Sequence, residues 1–62
     1  MRLKLTANIA DPDGFYDELL AVHQGLSKED SDALNARLVL VLANHIGDRN
    51  VLRQAMEAAR DG

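Results

Sequence analysis

The stretch Leu38-Val39-Leu40-Val41-Leu42-Ala43 decides the fold. Six consecutive apolar residues fit either a fully buried strand or a helix enclosed on all sides. The flanks select the helix. Leu34, Leu38, Leu42 and His45-Ile46 carry a helical repeat through the run and beyond it. Ser27-Lys28-Glu29-Asp30 places an acid three residues after a serine, the signature of a capping box, and Gly47 supplies a stop. The spacing therefore predicts a helix over 28–46. With Leu38 at 0° and about 100° per residue, its apolar positions sweep from about 300° through 0° to about 220°. The polar gap is narrow and consists of Asp30, Arg37 and Asn44, seven residues apart, while Asn35 sits among the apolar positions. A helix apolar on nearly every side has to be surrounded.

On the N-terminal side, Asp11-Pro12-Asp13 reads as the start of another helix. Asp11 suits the cap, Pro12 the first helical position, and Asp13 the positive end of the helix dipole. Phe15, Tyr16, Leu19, Leu20, Val22 and His23 share a broad face, and Gly25 marks the end, so this helix is expected at about 12–24. Before it, Leu3, Leu5, Ala7 and Ile9 alternate with Arg2, Lys4, Thr6 and Asn8. A period of two marks a half-buried extended segment, so residues 1–10 are expected as an extended arm or an edge strand, which a twin chain could pair. On the C-terminal side, Asp48 caps a third helix at about 49–60. Val51, Leu52, Ala55, Met56, Ala58 and Ala59 lie on one side of it, and Arg49, Arg53, Glu57 and Arg60 on the other. The expected fold is all-α: one small domain, residues 1–62, of three short helices behind the arm, completed as a helical bundle by a second copy.

The need for a second copy follows from size. A chain of 62 residues buries only about 60% of the surface its unfolded form exposes. Small natural proteins compensate with disulfides, a metal or a partner subunit. There is no cysteine, which excludes disulfides, thiolate catalysis and Cys-type zinc sites. Two histidines make a poor metal framework, so no metal or cofactor is expected and oligomerisation remains. Leu34, Leu38, Val41, Leu42, Ile46, Val51, Leu52 and Met56 are the residues expected to hold the assembly together. Asn35 and Arg37 read as polar specifiers of its register. The expected dimer interface therefore comprises Leu34, Asn35, Arg37, Leu38, Val41, Leu42 and Ile46.

The charge balance narrows the partners. The net charge is −3, opposite in sign to that of a general nucleic-acid binder. Residues 11–32 hold seven acids against Lys28, a balance of −6, whereas residues 1–10 hold Arg2 and Lys4, a balance of +2. The helix-turn-helix reading, in which Arg49, Asn50, Arg53 and Gln54 enter a major groove, is set aside. The preceding helix is too apolar to lie exposed on DNA. No apolar run approaches the length of a membrane span, and no leader segment is evident. The expectation is a cytoplasmic protein that binds neither nucleic acid nor membrane.

Asn35-Ala36-Arg37-Leu38-Val39-Leu40, followed by Leu42-Ala43-Asn44-His45-Ile46-Gly47-Asp48, resembles a family of short bacterial proteins known only as a domain of unknown function. Phe15-Tyr16, Leu19, His23 and Leu26 are similar as well, and the resemblance covers roughly residues 5 to 60. It implies no activity and no catalytic residues.

Two features remain as candidate chemistry. Tyr16, Asn44, His45 and Asp48 could shape a small polar pocket if the first two helices form an antiparallel hairpin. The simpler reading has Asp48 capping a helix while Asn44 and His45 satisfy loose backbone groups. No serine or cysteine in that cluster offers a nucleophile. His23 and His45 lie near opposite ends of such a hairpin, about 25 Å apart along the second helix, so within one chain they do not act together. Each is better placed to donate to the last carbonyls of its own helix. The function expected is that of a non-catalytic helical homodimer. The alternatives are an accessory or regulatory subunit of a larger metabolic enzyme, and a small-ligand or metal-binding protein using the pocket.

Overall fold

Each helix begins where a side chain takes over the backbone donors that a helix start leaves unpaired. In the computed structural model, which describes residues 2–62, the elements are α1 (Pro12–His23), α2 (Lys28–Ile46) and α3 (Arg49–Asp61). The Asp11 carboxylate accepts from Gly14 N–H at 3.1 Å, and Pro12 follows at the first helical position. Asp11 itself is left-handed, with φ 51°, a conformation that aspartate tolerates better than most residues. Ser27 Oγ accepts from Asp30 N–H at 3.1 Å, one half of the expected capping box. Asp48 Oδ1 accepts from Asn50 N–H at 2.9 Å and Val51 N–H at 3.4 Å.

The helix ends are equally local in origin. α1 is one residue shorter than expected because Gln24 has already turned extended, and Gly25 follows with φ 78°. α2 runs over the expected residues, and Gly47 closes it in the left-handed region, its N–H donating to the Ala43 carbonyl at 2.9 Å. α3 continues one residue beyond the expected end, to Asp61, with Gly62 N–H returning to the Ala58 carbonyl.

The packing between these elements is thin. α2 and α3 meet through the short Gly47-Asp48 turn. Among the described residues Val51, at 5% exposure, is the one buried side chain. α1 and α2 splay apart and leave an open groove of about 370 Å³, with Phe15, Leu19 and Val22 on one wall and Leu34 and Leu38 on the other. One side-chain hydrogen bond, between His23 Nδ1 at the end of α1 and Ser31 Oγ in α2, ties the two helices. No described residue forms a strand. Residues 2–11 precede α1 without regular structure; Leu3 is half-buried beside Ile46 and Val51, while Leu5 and Ile9 face outward. Met1, the first residue of the expected arm, lies outside the described residues.

Two measures express how open the chain is. Its radius of gyration is 13.2 Å, that of a compact domain of about 100 residues rather than the ~10.6 Å expected at this length. Its accessible surface is 5628 Å², against about 4,000 Å² for a compact monomer of the same mass.

Candidate interaction surface

Exposed apolar side chains occur along the whole chain, and Val39–Leu42 on α2 form their longest consecutive run. Successive residues of a helix point about 100° apart, so a run of six apolar residues cannot all turn toward α1 and α3. Leu34 and Leu38 are half-buried in the groove against α1. The other sides of the run remain open: Val39 is 64% exposed, Leu40 69%, Val41 65% and Leu42 51%. Ile46 is open to a lesser degree, and Ala36 adds to the same surface. On the other helices Tyr16, Leu20 and Met56 are also exposed. Isolated exposed apolar residues are ordinary, but a contiguous apolar band on one helix marks an interaction surface or a ligand groove.

The residues expected at an interface fall into two groups. Leu34 and Leu38 line the α1–α2 groove, whereas Val41, Leu42 and Ile46 face outward together with Asn35 and Arg37. Arg37 joins no ion pair among the described residues. Val39 and Leu40, two of the most exposed members of the run, were not in the expected set. The helical wheel places them about 100° and 200° from Leu38, but it does not say that the Leu38 side is the one that meets α1.

The polar residues are dispersed. Asp48 is half-buried and caps α3. Asn44 and His45 are exposed at the end of α2, and Tyr16 is exposed on α1. Among the described residues no hydrogen bond joins Tyr16, Asn44 and His45. The α1–α2 groove and the two hollows beside the arm are lined by other side chains.

His23 does not cap its own helix through a carbonyl but bonds Ser31 across the α1–α2 connection. A histidine paired with a serine has the ingredients of a nucleophilic dyad. Among the described residues, however, no carboxylate is hydrogen-bonded to the other ring nitrogen to orient the base. The bond holds the end of α1 near α2. No group of three or more His, Cys, Asp or Glu that could hold a metal ion occurs among the described residues. On α3 the Arg53 guanidinium donates to Asn50 Oδ1 at 3.1 Å. No described helix is long and apolar enough to cross a membrane.

Compared with models of protein families, residues 3–61 match the one described as "Protein of unknown function (DUF2783)". No curated protein and no solved structure matches the chain.

Proposed function

We propose a role for the chain as a member of the DUF2783 family, to which it belongs: a small, non-catalytic interaction protein that works as a homodimer built around α2. The observation that carries this reading is the exposed apolar band from Val39 to Leu42. Leaving those side chains in water forfeits about 25 cal/mol for each Å² that burial would remove.

The area supports a partner of the same size. The chain exposes about 1,600–1,700 Å² more than a compact monomer of its mass. If two copies hide that excess against each other, the interface totals roughly 3,300 Å², within the range of obligate homodimers and above that of transient contacts. A two-fold interface also suits a band that is apolar along its whole length, because the same patch then serves on both sides.

Sedimentation equilibrium of the purified chain between about 1 and 100 μM tests the proposal. The expected result is a mass of two chains, with helix content lost as dilution dissociates them. A stable, fully helical monomer across that range refutes it. In that event the band is left for a different partner, and an accessory subunit of a larger enzyme becomes the better reading.

A further inference from the structure

α1 and α3 carry complementary rows of charge that do not meet within one chain. α1 holds Asp13, Asp17 and Glu18 with no lysine or arginine, and α3 holds Arg49, Arg53 and Arg60 against Glu57 and Asp61. Asp13 and Asp17 are four residues apart, as are Arg49 and Arg53, so each pair is spaced about 6 Å along its axis on one side of its helix. All four are exposed. Each row is flanked by exposed apolar side chains: Tyr16 and Leu20 on α1, Met56 on α3. Among the described residues Asp13, Asp17 and Arg49 have no ion-pair partner. Among the same residues Arg53 bonds Asn50, and Arg60 reaches its neighbour Asp61 at 3.5 Å.

We infer that α1 of one copy docks on α3 of a second copy, the acidic row Asp13–Asp17 lying on the arginine row Arg49–Arg53. This inference rests on the homodimer reading and specifies how the two copies are registered. In a two-fold assembly the contact occurs twice, once from each chain to the other. The apolar band of α2 supplies the non-directional attraction. The charge rows select which helices meet, because placing α1 on α1 or α3 on α3 of the second copy brings like charges together. The flanking Tyr16, Leu20 and Met56 give the contact an apolar edge that partly desolvates the pairs.

Charge reversal in trans provides the test. One variant carries Asp13→Lys with Asp17→Lys, and the other Arg49→Glu with Arg53→Glu. Each alone opposes like charges at both contacts, and its homodimer is expected to weaken by about tenfold or more. Mixed, the two variants restore opposite charges at both contacts and are expected to form a heterodimer close to wild-type affinity, followed by native mass spectrometry with one chain isotope-labelled. A chain carrying all four reversals is expected to recover homodimerisation. The pair Asp17→Lys and Arg53→Glu repeats the comparison with less disturbance of the α1 start, and circular dichroism at a concentration where the weakened dimer still forms confirms that each variant folds. Variants that dimerise like the wild type, or that weaken without rescue on mixing, overturn the inference and leave the α2-centred dimer intact. A monomeric wild type overturns both.

Discussion

Leu40→Glu separates a helix that is merely exposed from one that is covered by a partner. Leu40 is 69% exposed in the single chain. If it stays in water, the substitution replaces one strong helix former with another and changes stability by no more than about 0.5 kcal/mol. If a second copy covers it, the lost burial is large. Full burial of a leucine contributes about 1.5–3 kcal/mol, and the share still available to a partner is roughly 1–2 kcal/mol. A two-fold assembly loses this twice, about 2–4 kcal/mol, which raises the dissociation constant roughly 30- to 700-fold at about 1.4 kcal/mol per decade. The desolvation of two carboxylates adds to that loss. The assay is a pair of thermal melts, at about 5 and 200 μM, read by far-ultraviolet circular dichroism alongside sedimentation velocity. The wild-type melting temperature is expected to rise with concentration if folding is coupled to self-association as proposed. Leu40→Glu is expected to melt lower at both concentrations and to sediment as a monomer at the lower one. Unchanged mass and melting for this variant would refute the reasoning, because no compensating contact is available to a residue that faces water. Leu38→Asp lacks this discrimination: Leu38 already lines the groove against α1, so its loss disturbs the monomer as well.

Two further outcomes follow from local geometry. Gly14→Ala is expected to destabilise α1 by a few tenths to about 1 kcal/mol, because a Cβ there would stand 2.9 Å from Asp11 Cγ and force the capping carboxylate away, a loss that the higher helix propensity of alanine offsets only in part. A lower melting temperature at fixed concentration checks this, and an unchanged or higher one contradicts it. His23→Ala and Ser31→Ala are each expected to cost about 1 kcal/mol, with the double substitution costing no more than either alone, since both remove one hydrogen bond. Full additivity in denaturant titrations would show that the two side chains act separately.

The parts of this fold legible in the sequence are those fixed within a few residues. Asp11, Ser27 and Asp48 each cap the helix expected of them, and Gly25 and Gly47 adopt the positive φ that ends α1 and α2. These are short-range effects, and the boundaries they set fall within one residue of expectation. The arrangement between helices was less legible. A repeat that is apolar over most of the circle names no preferred face, so it could not say that Leu34 and Leu38 turn toward α1 while Val39 and Leu40 turn outward. The His23–Ser31 bond spans the connection between helices, where periodicity carries no information. The alternation at Leu3, Leu5, Ala7 and Ile9 is a pairing signal without a pairing partner in this chain, and the segment forms no strand here. The polar cluster read around Asn44-His45-Ile46-Gly47-Asp48 rested on adjacency in sequence. Asp48 turns to the backbone of α3, while Asn44 and His45 face outward.

These two kinds of information divide the stability of the protein in the same way. Side-chain N-caps, glycine stops and the i,i+4 pair Lys28–Asp32 at 2.8 Å each contribute about 1 kcal/mol or less. They determine where helices start and stop, but isolated helices of 12 and 13 residues are marginal in water however well capped. The remaining stabilisation must come from burying apolar side chains between helices, and among the described residues Val51 alone is buried, at 5% exposure. If the exposed band of α2 is the main reserve of such burial, local structure and association are not separable: dissociating the dimer removes most of the packing that makes the helices persist. The chain then behaves as a two-state system of unfolded monomer and folded dimer, whose stability depends on its own concentration. A partner enzyme that covered the same band would compete with self-association for it, so a homodimer and a hetero-complex built on α2 exclude each other.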